Sequence, residues 1–325
     1  MFKAISIFIL SIITISTAST QIAYSERSYS NLSETEGIPS DSIYYLSLYQ
    51  QELKSIPDEV LSFKNLLELD LPGNHLSELP KGFSKLKSLE ELDLSYNSFE
   101  TLPNTIGKLT NLNTLYLQMN SLQALPKNLH KLKKLKTLVL LHNKLTAVPN
   151  SFAKLKNLEV LHIGQNKFQK FPEQILQLTE LRILNLGMSE IRLIPEQIGQ
   201  LHQLESLILG INNISSLPEE MKLLTNLEKL DLSDNSFEQF PELICLFKNL
   251  RFLNIQDNKI TQLPDCICSL ENLQELYLGR NQIKSLPTDM GKLQNLQEFY
   301  LNGNPIDPKI LEKLKQELPN CTISE

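Results

Sequence analysis

Asparagine recurs in this chain at positions 74, 97, 120, 143, 166, 212, 235, 258, 281 and 304. Every gap is 23 residues except one of 46, whose midpoint is Ser189. Proline keeps the same period from Pro57 to Pro287, always six residues after the asparagine position or its equivalent. Extending the register backward makes Gln51 a degenerate first member, so positions 51 to 304 mark twelve units in unbroken phase. A fixed period of roughly 20–50 residues signals stacked repeats, each a unit that buries its apolar face only against its neighbours. Such a chain folds as an elongated array, without a single globular centre.

Within a unit the apolar residues follow Leu-x-x-Leu-x-Leu-x-x-Asn-x-Leu, as at Leu89, Leu92, Leu94, Asn97 and Phe99, and again at Leu273, Leu276, Leu278, Asn281 and Ile283. The alternation Leu92-x-Leu94 has the two-residue period of a short strand, whereas Ile106, Leu109 and Leu112 return every third residue, as on a helical or 3-10 face. Stacking joins both sets into one core beneath a parallel sheet. With strands about 4.8 Å apart, twelve units give a concave face on the order of 55 Å long. Asparagine carries both a donor and acceptors, which suits a turn whose backbone groups find no partner in the next strand. The asparagine column is therefore structural, and Ser189, with only a short hydroxyl, marks the least firmly tied unit.

The pattern continues as Leu-Pro-x-x-Ile-Gly-x-Leu-x-x-Leu at Leu102, Pro103, Ile106, Gly107, Leu109 and Leu112, and so resembles the leucine-rich repeat family in its 23-residue form. The resemblance covers about residues 43 to 325. It implies an α/β solenoid: a curved right-handed superhelix with a parallel β-sheet on the concave face and short helices or 3-10 turns on the convex face. It also implies a non-enzymatic protein that binds other proteins. The chain looks most like the secreted leucine-rich repeat proteins of spirochaete bacteria. That likeness implies host adhesion receptors or extracellular matrix proteins as partners.

The ends and the composition bound the setting. Lys3 precedes an apolar run from Ala4 to Ile15, and small residues follow at Thr17, Ala18 and Ser19, the layout of a secretory signal peptide over residues 1–25. Its apolar part is shorter than the roughly 20 residues a membrane span requires. A secreted, surface or periplasmic location is expected, with cleavage after Thr20 or Ser25. The formal net charge is −6, and loss of Lys3 with the leader makes it −7, against a nucleic-acid partner, which favours a basic domain. The four cysteines all lie in the last third, so packing rather than a disulfide framework supplies stability. Residues 26–42 are polar and expected to be loosely ordered, with the repeats occupying 43–306. Residues 307–325 read as a closing helix, N-capped at Asp307 before Pro308, followed by a last strand.

Function is sought at the positions the repeat leaves free. On the concave face, the column four before the asparagine runs from Asp70 and Asp93 through Tyr116, Val139, His162, Asn185 and Ile208 to Asp231, Asn254, Tyr277 and Tyr300. The column six before it runs from Glu68 and Glu91 through Val160 and Ile183 to Glu275 and Glu298. Both are acidic toward the ends and apolar in the middle. Met119, Leu141, Met188 and Ile211 join the middle from the two remaining columns, beside Gly164, Gly187 and Gly210, which are expected to leave a shallow trough. Tyr116, Met119, Val139, Leu141, Val160, His162, Ile183, Asn185, Met188, Ile208 and Ile211 therefore form the candidate protein-binding face.

Other features are weaker. Asp234 and Asp257 share a column in adjacent units, and a pair about 5 Å apart is the spacing of retaining glycosidases, but a strand surface walls no pocket around them. A loose cation site there with Asp231 stays open, with no catalytic, cofactor or metal site expected. His142 and His162 lie too far apart to share a metal and read as surface histidines. Lys85, Lys108, Lys131 and Lys154, with Lys87, Lys133, Lys134, Lys136 and Lys156, form a convex ladder that reads as a solvated face. Sulfated polysaccharide on that ladder is the alternative function, and self-association remains a further partner. Cys245 and Cys268 occupy equivalent slots of adjacent units, close enough for a disulfide, though buried free thiols are favoured.

Overall fold

The computed structural model describes residues 28–325; the leader, read as residues 1–25, lies outside them. Beyond the two-residue β1, the strands are three residues long because the two-residue alternation lasts no longer than Leu-x-Leu before the chain turns. They are β1 (Ser28–Tyr29), β2 (Tyr45–Ser47), β3 (Glu68–Asp70), β4 (Glu91–Asp93) and β5 (Thr114–Tyr116). β6 (Thr137–Val139), β7 (Val160–His162), β8 (Ile183–Asn185), β9 (Ser206–Ile208) and β10 (Lys229–Asp231) follow. β11 (Phe252–Asn254), β12 (Glu275–Tyr277), β13 (Glu298–Tyr300) and β14 (Thr322–Ser324) complete one open sheet of 14 strands in chain order. All pairings are parallel and step by 23 residues through the repeats, so Leu69, Leu92, Leu115 and Leu138 are neighbours along the core side.

The convex side is made of 3-10 turns. In most coils a proline with its preset φ leads in, such as Pro103 at φ −69°, whose carbonyl accepts a bond from Ile106 N at 3.1 Å. The turn over Asn104–Lys108 closes when Leu109 N donates to Ile106 O at 3.0 Å. Three residues per turn put Ile106, Leu109 and Leu112 on one inward line, and all three are buried.

Two asparagine ladders tie the coils. Asn120 Oδ1 accepts from Phe99 N at 3.0 Å, one coil back, while Nδ2 donates to Leu94 O at 2.9 Å and to Leu117 O at 3.2 Å. Asn143 and Asn166 repeat the arrangement. At Ser189 the hydroxyl is buried and without a hydrogen-bond partner, so this coil lacks the rung its neighbours have. A second ladder, on the return to the sheet, has Asn65, Asn111, Asn157, Asn226, Asn249, Asn272 and Asn295 donating to the carbonyl 24 residues earlier at 2.7–3.0 Å.

The residue before each asparagine of the first ladder, and before Ser189, is left-handed from Tyr96 at φ 52° through Met119, His142, Gln165, Met188, Ile211, Asp234 and Asp257 to Arg280 at φ 52°. For the β-branched Ile211, at φ 58°, that conformation is strained.

Residues 28–42 differ from the loose order expected of a polar stretch. β1 pairs with β2, Asn31 Oδ1 caps a 3-10 turn by accepting from Glu34 N at 3.1 Å, and the Thr35 hydroxyl donates to Leu32 O at 2.7 Å with Thr35 buried. Local side-chain bonds to the backbone add here to the packing of Tyr29 and Leu32 against the core. At the other end α1 (Pro308–Glu317) starts where Asp307 Oδ1 accepts from Lys309 N at 2.9 Å, and it seats Leu311 and Leu314 on the last coil.

The cysteines pair otherwise than by column. Cys245 is bonded to Cys266, with Cα atoms 5.7 Å apart. Cys268, in the slot equivalent to Cys245, is a buried free thiol 3.9 Å from the Met290 sulfur, where it packs in the core. Among the described residues no helix is long and apolar enough to cross a membrane.

Candidate binding face

Each strand turns its middle residue into the core and its outer two toward the concave side, so burial along a strand reads half-buried, buried, half-buried in most coils. The in-register stacking of Val160 on Ile183, and of Asn185 on Ile208, brings the apolar candidates together. Met119 and Ile211 are 37% and 41% exposed, while Tyr116, Leu141, Val160, Ile183, Asn185, Met188 and Ile208 are half-buried. Val139 is buried, at 3%, and contributes beneath the face rather than on it.

His162 overturns the expectation of a surface histidine. Flanked in its column by Val139 and Asn185, it is only 5% exposed, and its Nδ1 has no hydrogen-bond partner. Burial pushes its pKa down to about 4, so the ring is neutral at physiological pH. His142, in the column immediately before the asparagines, is exposed.

The expected trough is also filled. A Cβ on Gly187 would lie 3.0 Å from the Gly210 carbonyl, and one on Gly164 would run into the Gly187 carbonyl. These glycines let adjacent coils close up, and Gly187 N is held by Asn185 Oδ1 at 3.0 Å.

Beside the apolar centre, β3 and β4 set four carboxylates in register, Glu68 beside Glu91 and Asp70 beside Asp93. Burial, and then one another's charge, push Asp70 and Glu91 up to about 7, and burial raises Glu68 and Asp93 too. Ser95 N donates to Asp93 Oδ1 at 2.7 Å, but among the described residues no cation pairs with any of the four.

At the far end sequence reasoning missed an aromatic run. Tyr277 and Tyr300 stack with ring centroids 4.5 Å apart, and Phe252 lies 5.4 Å from Tyr277. The Tyr277 hydroxyl is 2.9 Å from both Glu275 and Glu298, and burial with these acceptors raises its pKa. The two tyrosines in one column were the available signal.

Asp234 and Asp257 are not a free carboxylate pair. Arg280, next in their column, grips Asp257 through Nε at 2.5 Å and a second nitrogen at 2.6 Å. A protein cation thus neutralises Asp257, one of the carboxylates of the expected loose cation site, while Asp234 stays exposed. The convex lysines Lys85, Lys108, Lys131 and Lys154 stand exposed at the ends of successive 3-10 turns.

Models described as leucine-rich repeat region and leucine rich repeat match residues 89–196, and 41–99, 202–260 and 248–306. The chain belongs to the leucine-rich repeat family. Among solved leucine-rich repeat structures, one from Leptospira interrogans is 29% identical, with a TM-score of 0.53, over 92% of this chain and 100% of that one. An internalin of Listeria monocytogenes, 23% identical with a TM-score of 0.70 over 88% and 87%, shares the fold. The plant peptide hormone receptor RGFR1, solved in complex with RGF2, is 26% identical with a TM-score of 0.66. This chain covers 52% of that receptor. No curated protein matches the chain.

Proposed function

We propose that this leucine-rich repeat protein is a secreted or surface-held binding protein, not an enzyme, and that its concave face grips a protein partner. The observation that carries the reading is the apolar strip across β5 to β9, where Met119 and Ile211 keep 37% and 41% of their surface in water beside half-buried Val160, Ile183, Met188 and Ile208. A contiguous exposed apolar patch on a folded chain is characteristically a contact surface. Leucine-rich repeat relatives are binding and receptor proteins, RGFR1 in complex with RGF2 among them, which supports the same class of activity here. The apolar leader of residues 1–25 supports export, and extracellular adhesion receptors and matrix proteins are the first partners to assay.

The test uses two left-handed positions. Asparagine tolerates that conformation better than methionine or isoleucine, so Met188→Asn with Ile211→Asn removes apolar surface without straining the backbone. Against an array of extracellular proteins, the wild type binds at least one, and the double variant binds it at least about tenfold more weakly at a melting temperature no lower than the wild type's. Lys131→Glu with Lys154→Glu leaves that binding intact. If instead the lysine variant loses binding to sulfated polysaccharide and the concave variant keeps every partner, the polysaccharide reading replaces this one.

A further inference from the structure

The concave face is electrically one-sided. Its outward positions carry nine carboxylates, at Glu68, Asp70, Glu91, Asp93, Asp231, Asp234, Asp257, Glu275 and Glu298, against two cations, Lys229 and Arg280. Both cations are engaged: Arg280 holds Asp257, and Lys229 Nζ sits 4.5 Å over the Phe252 ring. The lysine ladder lies on the opposite, convex side.

We propose that the occupant of the apolar strip is a cationic amphipathic protein segment, its aliphatic side chains over β7 to β9 and an arginine or lysine over Glu68, Asp70, Glu91 and Asp93. This rests on the concave-face reading above and adds the chemistry of the partner. Charge complementarity is the first argument, since four half-buried carboxylates on two adjacent strands repel one another until a cation is brought to them. The shape of the group is the second. Among the described residues no three acidic, histidine or cysteine side chains converge on one point, and a row of carboxylates suits a long side chain with several donors.

The spacing is defined as well. Four strand steps separate Asp93 on β4 from Ile183 on β8, about 19 Å, which an extended segment spans in about six residues.

The full chain is used to select a random dodecamer peptide library at low salt, and enriched peptides are titrated by fluorescence anisotropy. Enriched sequences carry arginine or lysine about six residues from an aliphatic cluster. Their affinity falls at least about tenfold in Glu68→Gln/Asp70→Asn/Glu91→Gln/Asp93→Asn, and again in Met188→Asn/Ile211→Asn, and it weakens as salt rises from about 0.05 to 0.5 M. Peptides that lose affinity only in the Met188/Ile211 variant overturn the cationic segment and leave the concave reading standing. Peptides indifferent to both variants, or no enrichment, overturn both. A second copy docking its lysine ladder would appear as self-association in sedimentation that the four-amide variant abolishes, and that result also overturns the proposal.

Discussion

The Sγ atoms of Cys245 and Cys266 are bonded across neighbouring coils, with their Cα atoms 5.7 Å apart, while the Cys268 thiol stays in the core beside Met290. The bond closes a loop 21 residues long in sequence, and constraining such a loop in the unfolded chain is worth about 3 kcal/mol in the chain-entropy account. Cys245→Ala with Cys266→Ala therefore lowers stability by up to about 3 kcal/mol, with the last coils unfolding first, since repeat stabilities add locally. Differential alkylation with peptide mapping checks the pairing. Cys321 labels in the native protein, Cys268 only on unfolding, and Cys245 and Cys266 only after reduction. A recovered Cys245–Cys268 peptide pair would falsify this assignment.

Ser189→Asn restores the missing rung. In neighbouring coils the same side chain accepts one backbone bond and donates to others, whereas the Ser189 hydroxyl is buried and unpaired. A net gain of about 1 kcal/mol is expected, read as a higher denaturation midpoint with an unchanged m-value. In the opposite direction, Asn143→Ala strands the bond donated by Leu122 N and costs about 1–3 kcal/mol. A destabilised Ser189→Asn protein would mean that the backbone there has departed from the repeat.

Leu209→Ala opens a cavity at a fully buried site and costs about 2–5 kcal/mol. His162→Asp belongs in the same class, because it places a carboxylate where a neutral ring now sits at 5% exposure. Ile211→Asn, on the exposed rim, costs nothing measurable or stabilises. Equal losses in all three, by chemical denaturation, would show that the concave assignment is out of phase.

The acidic end makes stability fall as pH rises. Asp70 and Glu91 titrate at about 7 in the folded chain and near 4 when unfolded, so between those values the folded state holds the extra protons. His162 acts in the opposite sense: its folded pKa of about 4 lies below the ordinary 6.5, so its contribution is lost as pH falls through that window. The four-amide variant should therefore gain melting temperature over the wild type at pH near 7.5 and lose that advantage near pH 4. Equal pH profiles for the two proteins would dispose of the carboxylate repulsion.

The solenoid was readable because its causes are local and repeated. Leu92, Leu94 and Asn97 state strand, core and turn within six residues, and the next coil states them again. The apolar strip was legible for the same reason, since column membership follows from position. What escaped depends on neighbours. His162 is buried between Val139 and Asn185 in its column, and the Gly164 trough closes because the next coil's carbonyl lies in it. The second ladder runs at 23-residue spacing through Asn226, Asn249, Asn272 and Asn295, but in the earlier coils Ser88, Lys134, Glu180 and Gln203 alternate with or replace its asparagines, and Ser88 makes the same bond with a hydroxyl. The mutual effect of Asp70 and Glu91 needs both their burial and their register, neither of which a column of letters states.

The left-handed residues that precede the asparagines have one more consequence. Tyr96, Met119, His142, Gln165, Met188, Ile211, Asp234 and Arg280 share nearly one backbone conformation while differing in size, charge and polarity. The turn thus fixes where each side chain emerges without dictating its identity. Along this edge the molecule resembles a comb of constant pitch, about 4.8 Å, whose teeth are interchangeable. If the concave face binds as proposed, its partner preference is open to change one tooth at a time, with the leucines behind it left untouched.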